Sequence, residues 1–513
     1  MQNQFTFHFD SRRICLALAI CAGLALPSCE QSGDSSPQQA ESMAAEPHSA
    51  QPAAAPIEAS RATPLAPVEL AAPRNVLLIT VDTLRPDHLS LYGYPRATSP
   101  SLDRFFANAT RYASAYSTEA NTSPSVVSIL TGLYPARHRV RLFYQRIPSE
   151  VHTLPDYLAA AGFQTAAVVS NVVLTGEAIG LSTRFDHYDD FVDEREENLD
   201  VYERRASRTS DAAIEWLTEK RDTDRPHFLW AHYIDPHGPY QRPEEATTAT
   251  FQASESQPID LARVIAYQRV PGVEDGRAYI DRYDEEIAYA DAEIGRLLET
   301  YESLGLLESS IIIFTADHGE NMIEHQVYFN HGHQVWNSIM RVPLVIRTPG
   351  AEAREIGIPV SLADLTPTVL EMLDYPGLKA GKAFDGVPLQ NRSSEDSISL
   401  EASGYSAQGN AWAYRHHRAL VSGSEKWFTS VDRAGKVVDR GLYNLDQDPG
   451  ETAALPWHFG GKGNTLLRWF EADPDPAGVP AMALKGQRLD APKVAPGRTD
   501  DQIRALRALG YVE

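Results

Sequence analysis

The stretch "RNVLLITVDTLRPDHLSLYGY", residues 74–94, decides the architecture. Its run Val76–Val81 is short, apolar except for Thr80, and stops abruptly at Asp82. A strand with one wet face would alternate, and an amphipathic helix would place polar residues every three or four positions. A short apolar run that does neither reads as a strand covered on both faces. Runs of the same kind recur as "TAAVVSN" (165–171), "HFLWAHYID" (227–235), "SIIIFTADHG" (310–319) and "VPLVIRTPG" (342–350). Between them lie the helical patterns "TLPDYLAAAG", "RRASRTSDAAIEWLTEK", "AYIDRYDEEIAYADAEIGRLLETYESLG" and "SLADLTPTVLEMLD". Strands alternating with helices predict an α/β sandwich around a mostly parallel sheet.

In the long helix predicted over about 278–303, Ile280, Ile287, Ile294, Leu297 and Leu298 fall on one stripe. Its acidic side reads as a solvated face, and Asp284 and Asp291 are assigned no chemistry. Beyond about residue 395 the texture changes to short β-rich pieces, "SISLEA", "NAWAYRHHRALV", "EKWFTSV" and "KVVDRGLYNL", separated by turn residues. These predict a small antiparallel sheet, with helices at "TLLRWFEA" and "DQIRALRALGYV" packed against it. The organisation expected is a main α/β domain over 74–394 and a C-terminal subdomain over 395–513.

With 513 residues and 43% apolar composition, the chain can bury at least one large core. A formal charge of -23 excludes nucleic acid as a partner class, because phosphate backbones are bound by clustered Lys and Arg. The first 29 residues read as an export signal: Arg12 and Arg13 precede the apolar "ICLALAICAGLAL", which closes at "LPSC" and Cys29. Ser28 before the cysteine and Leu26 at the third position before it resemble a bacterial lipobox. That resemblance implies a lipid anchor at Cys29 and a place in the cell envelope, at the outer membrane or in the periplasm. The three cysteines, Cys15, Cys21 and Cys29, all lie in this segment, so no disulfide or thiolate metal site is expected in the folded body. Residues 30–73, rich in Ala, Pro, Ser and Gln, have the composition of a flexible tether.

Ligands of open α/β sheets gather beyond the carboxyl ends of the strands. Four apolar runs end there in polar residues: Asp82, Asn171, Asp235 with His237, and Asp317 with His318. Any one of them alone reads as a cap or turn residue. Asp82, Asp317 and His318 together, with Gly319 permitting close backbone approach, suit one divalent cation, Ca, Mn, Mg or Zn. In "NTSPSVVSILTG", Thr122 and Pro124 stand at a helix start, where a hydroxyl caps the helix or sits beside an anion held by free N–H groups.

The ordered series "VDTLRPDHLSLYGY", "SPSVVSILTGLYPARH", "LAAAGFQTAAVVSN", "HYIDPHGPY", "YDEEIAYADAEIGRLL", "TADHGENMIEH" and "MRVPLVIRTPG" resembles the sulfatases of the alkaline phosphatase superfamily. "LYNLDQDPGE" and "LRALGYVE" resemble that family's C-terminal subdomain, so the likeness spans residues 74–513. It implies an α/β/α sandwich with a smaller antiparallel-sheet subdomain and a metal-dependent hydrolase acting on sulfate or phosphate esters of small molecules or glycans. It also implies metal roles for Asp82, Asp317 and His318, a leaving-group acid in His237, and substrate contacts from Asn171 and from His331 or His333.

Two departures bear on the chemistry. His318 and Thr83 stand where many sulfatases have asparagine and a second metal aspartate, as in the phosphonate monoester hydrolase branch, which leans the site towards Mn or Zn. The pattern C/S-x-P-x-R becomes Thr122-Ser123-Pro124-Ser125-Val126. The residue oxidised to formylglycine and the arginine are both replaced. The resemblance therefore implies Thr122 as an unmodified nucleophile on a phosphodiester or phosphonate ester, since related superfamily members attack phosphate esters with a threonine. The alternative is a catalytically inactive sulfatase-fold binding protein of the envelope.

Overall fold

The computed structural model describes residues 64–473 apart from 73, 197–200, 242, 244–245, 327, 378–382, 409–410, 433 and 458–460. The export signal, the lipobox at Cys29, most of the tether and the terminal "LRALGYVE" lie outside the described residues.

The five apolar runs form strands in one sheet. They are β1 (Asn75–Val81), β3 (Gln164–Val168), β7 (His227–Tyr233), β8 (Ser310–Ala316) and β9 (Arg341–Arg347). The sheet also takes in β2 (Thr110–Tyr116), β4 (His187–Asp189), β10 (Arg354–Ile356) and β11 (Val360–Ser361). Its order is β10-β2-β9-β8-β1-β7-β3-β4, with β11 also on β2. From β8 through β1, β7 and β3 to β4 every pairing is parallel, in a register that sets Val76 beside Phe228 and Ile311. β9 runs antiparallel to both its neighbours. Every residue of β7 and β8 is buried, which is why these strands read as unbroken apolar runs: both faces of the sheet are covered. Parallel strands end on the same edge, so Asp82, Asn171, Asp235 and Asp317 are delivered together.

A hairpin of β5 (Glu194–Glu196) and β6 (Val201–Glu203) lies beside the end of β3, with Asn171 bridged to Glu203. The expected C-terminal sheet is present as β12 (Ile398–Gln408), β13 (Ala411–Ser422), β14 (Glu425–Val431) and β15 (Val437–Asn444), all antiparallel in that order. The helix Gly461–Ala472 packs on β13 and β14. One face of this sheet shares an apolar cluster with the main body, in which Ile398, Leu400, Ala419 and Phe428 meet Tyr116, Ala120, Ile339 and Met340.

The long helix spans Gly276–Ser303, close to the range read from sequence. Its acidic side is not a solvated face, however: Asp284, Glu286 and Asp291 are buried. The residues opposing them explain the difference. Asp284 accepts from Tyr94 and Arg96 and lies 2.6 Å from His88 Nδ1. Asp291 accepts from the backbone N–H groups of Ser101 and Leu102 at the start of the helix Pro100–Phe105, each at 2.9 Å. The partners come from about 190 residues upstream, so helical periodicity alone could not distinguish a hydrated carboxylate from one that caps a distant helix.

Burial pushes the Asp291 carboxyl up to about 7, against backbone bonds that pull it down. Between pH 4 and 7 the native state then holds a proton that the unfolded chain has released, so this group's contribution to stability falls as pH rises through that window. The melting temperature of Asp291→Asn relative to wild type is expected to climb between pH 4 and pH 7. A difference that stays constant with pH would contradict the assignment.

Candidate active site and metal centre

At the end of β1, Asp82 is fully buried, and at the end of adjacent β8 so are Asp317 and His318. His318 Nδ1 lies 3.0 Å from the Gly319 carbonyl, to which it donates, so Nε2 carries the lone pair. That nitrogen faces Asp317 Oδ2 at 3.5 Å and Asp82 Oδ1 at 3.8 Å. Those two carboxylate oxygens are buried and have no hydrogen-bond partner among the described residues. One ligand atom from each of the three side chains falls within 4.8 Å of the others. Two unpartnered carboxylate oxygens and an imidazole lone pair converging in a buried space fit one divalent cation. Burial and the neighbouring Asp317 hold Asp82 well above the usual carboxylate range, and burial pushes Asp317 up to about 7.

Glycine at 319 is a steric requirement: a Cβ there would lie 2.3 Å from the Ser338 carbonyl oxygen. Thr83 turns the chain with φ 55°, its N–H donating to Asp317 Oδ1 at 3.3 Å. The Thr83 carbonyl accepts from Tyr283 of the long helix at 2.8 Å, and the same hydroxyl accepts from Arg85 N–H at 3.0 Å.

Thr122 opens the helix Thr122–Thr131, all of whose residues are buried. Its Oγ1 lies 3.3 Å from His318 Nε2 and 3.5 Å from Asp82 Oδ2. It is therefore against the carboxylate cluster and does not cap its own helix, whose N-cap is Asn121. Ser125 ties this helix to β8 by donating to the Asp317 carbonyl at 2.6 Å. The preceding loop is held by the C-terminal sheet, Glu401 N–H donating to the Thr118 carbonyl at 2.9 Å. Val126 is 1% exposed and belongs to the apolar core.

Asn171 Nδ2 donates to Asp82 Oδ2 at 2.7 Å, so in this structure it orients the carboxylate. His237 lies between the cis bonds Asp235–Pro236 and Gly238–Pro239, its Nδ1 donating to the Gly238 carbonyl at 2.9 Å. The His331 ring stands 4.6 Å from that of His318 and 5.2 Å from that of His237, which gives it the direct place in the site. His333 is charge-coupled to His331 and is lowered to about 4, mainly by burial. Burial and neighbouring imidazoles keep His237 and His331 well below the usual histidine range.

Sequence reasoning passed over Glu320, although it directly follows the "DHG" turn. It is fully buried, pushed up to about 8 by burial, accepts from Tyr240 at 3.3 Å and faces His331 Nδ1 at 3.3 Å. Its role requires Tyr240 and His331, which no local pattern links to it.

With this geometry in place, the comparisons with known proteins agree on the class. The sulfatase family matches residues 74–375. The chain belongs to the sulfatase family. It is similar to iduronate 2-sulfatase of Homo sapiens, 27% identical over 342 residues that cover 54% of this chain and 60% of that enzyme. It is also similar to the Escherichia coli sulfatase YidJ, 24% identical over 338 residues covering 58% of this chain and 68% of that one. The alignments thus leave about a third or more of those relatives unmatched. Among solved structures, the phosphonate monoester hydrolase of Agrobacterium radiobacter superposes with a TM-score of 0.55 at 20% identity, covering 78% of this chain and 94% of that chain. BT1596, a 2-O GAG sulfatase, superposes at 0.59 and 18% identity, covering 79% and 91%.

Two facing buried carboxylates strain the metal-free protein. Asp82→Asn is expected to raise the melting temperature of the chelator-treated chain, because burial and the neighbouring Asp317 both disfavour the charged form of Asp82. Added divalent metal should raise the melting temperature of wild type and leave that of the variant unmoved. Thermal melts with and without chelator decide this; equal metal stabilisation of both proteins would remove Asp82 from the site.

Proposed function

We propose that this protein is a metal-dependent hydrolase of anionic esters in which the unmodified Thr122 hydroxyl is the nucleophile, with phosphodiesters or phosphonate esters as the preferred substrates. The observation that carries the reading is the Thr122 oxygen, at a helix start and within 3.5 Å of both Asp82 and His318. A divalent cation held by Asp82, Asp317 and His318 would supply positive charge that acidifies a neighbouring hydroxyl and offsets charge on the ester oxygens. The backbone N–H groups of the first helical turn add a second anion-binding element.

In the first step the Thr122 Oγ1–phosphorus bond forms as the bond from phosphorus to the leaving oxygen breaks. Asp82 Oδ2, 3.5 Å from Thr122 Oγ1, accepts the hydroxyl proton. His237 gives a proton from Nε2 to the leaving oxygen; its Nδ1 bond to Gly238 fixes the ring for this. Burial keeps the imidazole neutral in the free protein, and an anionic ester beside it favours the protonated form. Water, deprotonated by His237, then attacks phosphorus as the phosphorus–Oγ1 bond breaks, and Thr122 Oγ1 takes back the proton held on Asp82 Oδ2. A sulfate ester on threonine lacks the second hydroxyl through which formylglycine sulfatases expel sulfate, and this favours phosphorus. The similarity to iduronate 2-sulfatase favours a glycan ester as the organic part, with a small-molecule ester as the other candidate. The Cys29 anchor would place the enzyme on an envelope membrane, with residues 30–73 as its tether.

The alternative, a binding protein with a disabled site, draws on Val126, which fills core where the family pattern has arginine. Turnover of p-nitrophenyl sulfate, phosphate, phosphodiester and phosphonate, with Mn, Zn or Ca, separates the two. Phosphodiester or phosphonate cleavage is expected, falling on the order of 1,000-fold or more in Thr122→Ala. Sulfate cleavage acquired by Thr122→Cys, with no native activity on any ester, would instead establish the disabled scaffold.

A further inference from the structure

Gln268 is fully buried, yet neither its Oε1 nor its Nε2 has a hydrogen-bond partner among the described residues. A buried carboxamide with both ends unsatisfied is costly, and a ligand group that bonds it would offset that cost. Its surroundings give that cost a location. A Cβ on Gly238 would lie 1.8 Å from Gln268 Oε1 and 2.2 Å from Nε2, so the amide rests directly on the glycine that follows His237. The adjacent Tyr267 ring is parallel to the His237 ring, 3° between planes, at a centroid distance of 6.3 Å.

The segment is held in place by backbone and side-chain bonds. Gln268 N–H donates to the Ile265 carbonyl at 3.1 Å, Arg269 Nε to the Val264 carbonyl at 2.9 Å, and Val270 N–H to the Tyr279 hydroxyl of the long helix at 2.8 Å. The main chain that carries the amide is thus held before any substrate arrives. Gly238 tolerates no side chain that would fill the space the amide occupies.

We infer that Gln268 is a substrate-contacting, specificity-determining residue that hydrogen-bonds a neutral hydroxyl on the leaving-group side of the ester. This rests on the reading of His237 as the group beside the leaving oxygen. A carboxamide offers a donor and an acceptor and carries no charge, which matches an alcohol and gives nothing to a second anion. The class of substrate it selects is a polyhydroxylated alcohol, a sugar or polyol ester, over an aryl ester.

Calorimetry with divalent metal present, on Thr122→Ala protein that does not turn the ester over, tests this with glucose 6-phosphate and p-nitrophenyl phosphate. Adding Gln268→Met, which keeps the volume and removes the polar atoms, should weaken the sugar ester about tenfold and leave the aryl ester within about twofold. The melting temperature should hold or rise, because the unsatisfied amide is gone. Gln268→Ser serves as the second variant. Equal loss with both ligands, no loss with either, no binding of the sugar ester by the parent, or a sharp drop in melting temperature in both variants would overturn the inference. Absence of turnover in the native protein, with the sugar-selective loss intact, would sink the hydrolase reading alone.

Discussion

Two carboxylates buried side by side at the ends of adjacent parallel strands, Asp82 on β1 and Asp317 on β8, set the terms for everything around them. Like charges in a low-dielectric interior repel, and burial raises both groups. The surrounding structure relieves this only in part. Asn171 donates to one oxygen of Asp82, while the backbone N–H groups of Thr83 and His318 donate to one oxygen of Asp317. Each carboxylate is left with one oxygen unpartnered among the described residues, and His318 Nε2 faces both. A cation would resolve this arrangement, which is why the cluster reads as a candidate binding site and not as a set of turn residues.

The nucleophile candidate is held to that cluster from two directions. Ser125 ties the first turn of its helix to the carbonyl of Asp317, one of the candidate cation ligands. The loop before it is gripped by the second sheet, whose Glu401 bonds Thr118 through its backbone and pairs with Arg141 at 2.7 Å and Arg418 at 3.4 Å. Glu401 is buried between two guanidinium groups, which keep its carboxyl below the usual range despite burial. The C-terminal sheet is accordingly part of how Thr122 is positioned, and its apolar face and this ion network fasten it to the main body.

Much of the fold was legible in the sequence. The five apolar runs became strands, the long helix fell where its Ile and Leu stripe placed it, and the β-rich tail formed its own sheet. β2 was missed because "TRYASAY" mixes buried and half-buried residues and has no continuous apolar run. The acidic side of the long helix was misread because its partners, Ser101, Tyr94 and Arg96, lie far away in the chain.

What the sequence by itself determined is the set of polar residues that terminate strands, because a covered strand must be apolar and its end is where that constraint lifts. Asp82, Asn171, His237, Asp317 and His318 could be named for that reason alone. Tertiary structure decided the rest: that Asn171 serves Asp82, that His331 stands against His318 and His237, that Glu320 is buried against Tyr240, and that Gln268 lies over Gly238. Each depends on a contact between segments remote in sequence, and hydrogen-bond partnership and desolvation are properties of those contacts, not of any residue's local pattern.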